Sequence, residues 1–322
     1  MDRPAAPLLD LRALTVRLGR SDRSPSVLDQ ITLALQAGEI MGLVGESGAG
    51  KSMTGAAIID LLEAPLTKTG GEIWLNGDRI DDLPESAKRK LRGAKIGMIF
   101  QDPATSLNPV LTIGHQLTET IRQHADLDHR QAHDRAVDLL ADVGIPSPAE
   151  RLGSYPHEFS GGMRQRVVIA LALAGNPDLI IADEPTTALD VSIQAQIITL
   201  LKDVAAERGA GVLLITHDLG VIAEIADRVA VMYAGRIVEI APMADILDAP
   251  RHPYTKALMR SIPLVGDRRE RLPQIQGAMP RVGARPPGCA FHPRCPSRLD
   301  RCDRDRPDLE TKDGVHVACW AV

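Results

Sequence analysis

The chain has 322 residues, 44% hydrophobic and 25% charged, the make-up of a globular protein with room for one large domain plus a smaller one, or for two modest domains. A net charge of −5 and only 2% aromatic residues argue against the basic footprint of a nucleic-acid binder and the stacking platform of a single-strand binder. Enzyme and interaction module remain. Met1 to Asp10 carries charges and two prolines but no apolar signal core, and the most apolar run, Val167 to Ala174, is too short to cross a bilayer. These features imply a protein kept in the cytosol that meets a membrane only through a partner.

Leu8 to Leu18 alternates apolar and polar residues and predicts a strand. Ser21 to Ser26 is turn-rich, Ile31 to Leu35 alternates again, and Ala37-Gly38-Glu39 turns into the apolar run Ile40 to Val44. That run suits a parallel strand covered on both faces. Glycines follow, then a helix expected over Ser52 to Leu62. Ile96 to Phe100, Leu179 to Ala182 and Val212 to Thr216 read as further buried strands, with helices over Arg164 to Ala174 and Ile193 to Glu207. Strands alternating with helices predict a mainly parallel α/β sheet. From Pro103 to Phe159 there are helical patterns, such as Gln131 to Val143, and no strand pattern, which predicts a helical insertion. Beyond Asp245 prolines accumulate, Pro263 and Pro273 among them, and apolar runs shorten. Such a tail needs a staple or a surface to lie on.

The chemistry starts at Gly45-Glu46-Ser47-Gly48-Ala49-Gly50-Lys51-Ser52, a full G-x4-G-K-[ST] P-loop between a buried strand and a helix. Glycines let backbone N–H groups curl around phosphates, and a helix start aims its positive end at them. Lys51 would reach the terminal phosphates, and the Ser52 hydroxyl would ligate Mg²⁺. Leu179 to Ala182 runs into Asp183 and Glu184, placing two carboxylates at the carboxyl edge of a strand, where open α/β sheets gather ligands. Asp183 would hold Mg²⁺ through water and Glu184 would take a proton from the attacking water. Ser160-Gly161-Gly162 opens a helix and forms a second phosphate-binding terminus, which points to nucleotides shared between two chains.

Phe159-Ser160-Gly161-Gly162-Met163-Arg164-Gln165-Arg166 resembles the signature of the ABC ATPases, with Met163 where glutamine is usual. In the order that family implies, Gln101 looks like the Q-loop glutamine that also contacts Mg²⁺, Thr187-Ala188-Leu189-Asp190 like the D-loop, and His217 like the γ-phosphate switch. One departure is that Leu18 stands where an aromatic usually stacks on adenine. The resemblance implies a P-loop ABC ATPase fold over residues 1–245 with a helical subdomain at about 103–165, and a small Pro/Cys-rich extension over 246–322.

Gln101 to Pro109, Tyr155 to Ser160, His252-Pro253-Tyr254 and the cysteine-bearing end resemble the oligopeptide/dipeptide importer ATPases, whose relatives also carry nickel and other small solutes. The resemblance implies a peripheral ATPase on the cytoplasmic face of the membrane. Its partners would be a second, related ATPase chain, two integral permeases and an extracytoplasmic solute-binding protein, with no nucleic acid. A non-transport ABC protein is the competing class; its usual second cassette, coiled coil or zinc hook is missing. Cys289, Cys295, Cys302 and Cys319 are the only cysteines. Their spacing fits neither common ferredoxin pattern nor a C-x2-C zinc knuckle and says only soft-metal site. The resemblance favours a [4Fe–4S] cluster. Zinc, with His292 or His316, is the alternative, and inert thiols the third reading.

Overall fold

The computed structural model describes residues 6–187, 189–261 and 274–322, so Ala188, Pro263 and Pro273 lie outside the described residues. Contacts divide the chain into a first unit, Met1–Leu35, Ile40–Asp81 and Leu214–Val322, and a second, Gln36–Glu39 and Asp82–Leu213.

The first unit opens with β1 (Leu9–Leu18), β2 (Ser26–Leu35), β3 (Ile40–Val44), α1 (Lys51–Ile58), β4 (Leu66–Leu75) and β5 (Asp78–Arg79). In β1 and β2 the apolar positions Leu9, Leu11, Leu14, Leu28, Ile31 and Leu35 are fully buried while their neighbours are not, the half-covered pattern of an antiparallel sheet. These strands accordingly leave the parallel core. With β4 and β5 they form a separate antiparallel sheet in the order β2-β1-β4-β5, with Leu9 opposite Leu35 on one side and Leu75 on the other. Helix α1 ends at Ile58, a turn short of the expected Leu62, because Asp60 sits in the left-handed region at φ 54.

The second unit follows with α2 (Glu85–Leu91), β6 (Ile96–Ile99), α3 (Pro103–Ser106), α4 (Ile113–His124), α5 (His129–Asp142), α6 (Pro148–Arg151) and α7 (Gly161–Leu173). It continues through β7 (Leu179–Asp183) and α8 (Val191–Arg208) into β8 (Gly211–Ile215). The order here is β8-β7-β6, with Ile96 parallel to Leu179. The expected stretch without strands from Pro103 to Phe159 is helical throughout its regular elements. Leu117 and Ile121 of α4, and Ala132, Ala136 and Leu139 of α5, are fully buried at the three- and four-residue spacings of a core-facing helix stripe. A capping box between Asp128 and Gln131 starts α5.

The first unit resumes with α9 (Leu219–Ile225), β9 (Arg228–Tyr233), β10 (Arg236–Pro242), α10 (Met243–Asp248), α11 (Pro253–Arg260), β11 (Glu310–Lys312) and β12 (Val315–Val317). Ala234 and Gly235 both take positive φ, which is the two-residue turn a twisted hairpin needs between β9 and β10. The order is β11-β12-β10-β9-β3, and only β9 to β3 is parallel among these pairs.

The proline-rich tail therefore does find a surface: β12 pairs with β10, with Glu239 opposite Val317. The side chain of Glu239, 1% exposed, accepts the backbone N–H groups of Arg251 at 2.7 Å and His252 at 2.9 Å, so a buried carboxylate is satisfied by the start of α11. Arg306 at 2.8 Å and Arg285 at 3.6 Å both reach Asp29 and tie the tail to β2. His252 is buried, and its Nδ1 accepts the N–H of Tyr254 at 3.0 Å, which requires a neutral ring.

Burial, aided by the charge of Lys256, holds the His252 pKa down to about 3, against an ordinary 6.5. Protons therefore bind the unfolded chain preferentially. The stability His252 contributes is complete above about 6.5 and is lost as pH falls from there toward 3. Urea melts at about pH 7 and about pH 5 should differ by up to ~2 kcal/mol from this group. His252→Asn, which still accepts from Tyr254 but cannot titrate, should be less stable at neutral pH and show a clearly shallower dependence over that interval.

Candidate functional site

In the first unit the residues Gly45 to Ser52 make the turn between β3 and α1. The turn is close-fitting. At Gly45, φ 154, a Cβ would stand 2.3 Å from the Met232 carbonyl oxygen, and at Gly50, φ 107, 2.8 Å from Leu28 Cδ2. Lys51 is buried; its ammonium donates to the carbonyl oxygens of Gly45 at 2.8 Å and Glu46 at 3.3 Å, which closes the loop on itself. Ser52 is the second residue of α1. His217 follows β8 and is exposed, while its neighbour Asp218 caps α9. Leu18 ends β1 with 39% of its surface exposed.

Glu46, the second residue of the loop, is held by the tail. Its N–H donates to the Tyr254 hydroxyl at 2.9 Å. Its carboxylate accepts Nη1 and Nη2 of Arg294 at 2.9 and 3.0 Å. Arg294 Nη1 also reaches the Tyr233 hydroxyl at 3.3 Å. Tyr233, Tyr254 and Phe291 pack edge to face with centroids 4.7 to 5.4 Å apart. Burial alone would weaken proton binding at Arg294, but the hydrogen bonds to Glu46 and Tyr233 outweigh it and raise its pKa. Burial likewise raises the Tyr254 pKa above its ordinary value. Sequence reasoning singled out Tyr254 only as part of a resemblance and passed over Arg294 and Phe291. The scarcity of aromatic residues was the available signal, since three of the chain's few rings meet here.

In the second unit Asp183 ends β7 and is buried. Glu184 follows at φ 47, a left-handed conformation that costs a non-glycine residue about 1–3 kcal/mol and clusters at functional sites. Its Oε2 accepts Gln101 Nε2 at 3.1 Å and the Thr187 hydroxyl at 2.8 Å. Two residues assigned separately from sequence are thus brought together. Ser160 caps α7 by accepting the N–H of Met163 at 3.3 Å, and Asp190 caps α8 by accepting that of Ile193 at 3.0 Å. The two adjacent glycines differ. A Cβ on Gly161 meets nothing within 4 Å, whereas one on Gly162 would stand 2.7 Å from Ile193 Cγ2.

Among the cysteines, Cys302 and Cys319 are buried, Cys289 and Cys295 half-buried, and none forms a disulfide. Cys289 N–H donates to the Cys302 carbonyl at 2.8 Å. Burial, and then the nearby thiols, push the Cys289 pKa up to about 11; burial also raises Cys295 and Cys319. Among the described residues no three His, Cys, Asp or Glu side chains are placed to hold a single metal ion. The four thiols are therefore neighbours electrostatically without converging on one ion. His292 uses Nδ1 on the Cys289 carbonyl at 2.9 Å, and His316 Nδ1 lies 3.0 Å from the Thr311 hydroxyl.

The ABC transporter family matches residues 28–187, and the oligopeptide/dipeptide transporter C-terminal region matches 238–302. A dimer of the ATP-binding cassette MJ0796 in a post-hydrolysis state with ADP and Pi is 29% identical with a TM-score of 0.65, covering 73% of this chain and 98% of that one. cbiO1 of Clostridium perfringens, part of the transporter complex cbiONQ, is 25% identical with a TM-score of 0.66, covering 76% and 92%. The fold and the P-loop define an ABC-type ATPase. The dipeptide transport ATP-binding protein DppD of Escherichia coli is 46% identical over 313 residues, 97% of this chain and 96% of the relative. DppD of Bacillus subtilis is 49% identical over 292 residues, covering 90% and 87%. The chain belongs to the ABC transporter ATP-binding proteins, in their oligopeptide/dipeptide transporter branch.

The glycine pair gives a direct check. Gly162→Val must displace Ile193 and should cost about 1–3 kcal/mol in thermal or urea melts. Gly161→Val, with open space around the new side chain, should melt within ~0.5 kcal/mol of the parent.

Proposed function

We propose that this protein is the ATP-hydrolysing subunit that energises uptake of di- and oligopeptides through an ABC importer. The similarity to dipeptide transport ATP-binding proteins across nearly the whole chain supports the substrate class. The observation that carries the chemistry is Glu184, strained at a strand end and hydrogen-bonded to Gln101. In this reading Gly45 to Ser52 binds the phosphates of ATP, with backbone N–H groups and Lys51 compensating their charge. Glu184 accepts the proton of the attacking water, oriented by Gln101 and Thr187, and His217 contacts the γ-phosphate. Ser160, Gly161, Gly162 and Asp190 address a nucleotide held by the partner ATPase. The hydroxyl of Ser52, the amide oxygen of Gln101 and the carboxylate of Asp183 are hard oxygen donors that suit Mg²⁺. When bound, the ion neutralises phosphate charge. No helix among the described residues is long and apolar enough to cross a membrane. The transmembrane path belongs to two permease subunits fed by a solute-binding protein, with this chain docked peripherally on their cytoplasmic side beside a related ATPase.

The same reading gives the four cysteines one shared [4Fe–4S] centre that fixes the tail. Thiolates are soft ligands suited to such a centre. Anaerobic purification followed by iron, sulfide and zinc analysis should find about four irons and four sulfides per chain. Zinc without iron, or no metal and four freely alkylated thiols, would overturn this assignment.

Glu184→Gln keeps the hydrogen-bonding shape but cannot take the proton. It should bind ATP normally while steady-state hydrolysis falls about 10²–10⁴-fold. Near-parental turnover would remove Glu184 from its role. Gly161→Val should retain ATP binding by the isolated chain yet fail to form the ATP-loaded dimer in size-exclusion chromatography.

A further inference from the structure

We infer that Arg294 and Tyr254 are positioning residues for the P-loop, and that through them the cysteine-bearing segment sets the affinity for ATP. The inference rests on the P-loop reading above. A loop that cradles a triphosphate gains from every positive group and loses from every negative one. Glu46 is a carboxylate inside that loop, and it would repel the phosphates unless neutralised. Arg294 neutralises it with a two-pronged hydrogen-bonded pair at 2.9 and 3.0 Å. The guanidinium has little freedom to leave. Its side chain is 7% exposed, its Nε donates to the Gln276 carbonyl at 2.9 Å, and its Nη2 reaches the Ile275 carbonyl at 3.3 Å. The rings of Tyr233 and Phe291 lie 5.7 and 5.9 Å from it. Tyr254 fixes the backbone of the same residue by accepting the Glu46 N–H, and it is itself fully buried.

The tail supplies both contacts, and Arg294 occupies a short turn, His292–Arg294, lying between Cys289 and Cys295 and directly preceding Cys295. Loosening the cysteine segment would withdraw the charge from Glu46 and free the loop's second residue. A cysteine substitution would then reach beyond the tail's own order and weaken nucleotide binding as well.

The test measures the Kd of the full chain for MgATP by equilibrium dialysis, with melting curves to confirm folding. Arg294→Gln should weaken binding about 5- to 20-fold, a usual size for coupling between sites. In a Glu46→Gln background, where no carboxylate is left to neutralise, Arg294→Gln should change the Kd by no more than about twofold. Arg294→Lys, which keeps the charge without the planar fork, should fall between parent and Arg294→Gln. Cys295→Ser should weaken binding in the parent and lose most of that effect in the Glu46→Gln background. A loss equal in both backgrounds would reduce Arg294 to ordinary packing and overturn the inference. Lys51→Ala separates the two readings. If it loses ATP while Arg294→Gln binds like the parent, the positioning role alone fails. If Lys51→Ala binds like the parent, the P-loop reading fails and the inference with it.

Discussion

The backbone leaving β3 passes close to other backbone, and at Gly45 that approach leaves no room for a side chain. The Met232 carbonyl stands where a Cβ would be, so the exit of β3 is fixed against the end of β9. β9 runs parallel to β3, the hairpin through Ala234 and Gly235 returns β10 on its far side, and β10 offers a further edge. An unpaired edge is a hazard that proteins cover. Here the cover is β12 of the tail.

That arrangement explains how a proline-rich segment with short apolar runs can be ordered. Its described residues add two short strands to an existing sheet, bury Val315 and Val317 there, lend Phe291 to an aromatic group with Tyr233 and Tyr254, and send Arg285 and Arg306 to Asp29. The buried Glu239 gives the junction its direction. Two backbone N–H groups at the start of α11 satisfy its carboxylate, and leaving a buried carboxylate without such partners would be costly. A metal centre on the cysteines would add to this anchoring rather than create it.

The glycine-rich turn between β3 and α1, the paired carboxylates at the end of β7 and the glycine-started α7 are legible because each combines a fixed residue pattern with a change of hydrophobic period. Strands β3, β6, β7 and β8 were legible for the same reason: continuous apolar runs bounded by glycine or charge. The separate antiparallel sheet was only half visible, since β1 and β2 alternate while β4 carries Lys68, Thr69, Gly70, Gly71 and Glu72 in mid-strand. Strands β9 and β10 are mostly apolar, Val229 to Tyr233 without interruption and Ile237 to Ala241 broken only by Glu239, and are readable on that ground, but β11 and β12 are three residues each and carry no periodic signal. Long-range pairs are not written in local pattern at all. Nothing near Arg294 says that its partner lies 248 residues away.

Glu46 shows why that distance matters for function. An uncharged residue at the same place in the loop would need no neutralising partner, and among the described residues the tail would then reach the loop only through the Tyr254 hydroxyl on the backbone N–H. A carboxylate makes the loop conditional. It lowers the intrinsic attraction for a triphosphate, which returns when a guanidinium is delivered from a segment held in place by β12 and the aromatic group. The bidentate geometry sharpens the condition, because a planar fork held by two further carbonyls is either in register with both carboxylate oxygens or contributes little. Affinity for nucleotide and order of the tail are then two readings of one equilibrium, and by linkage bound ATP stabilises the docked tail by the same factor that the docked tail favours ATP.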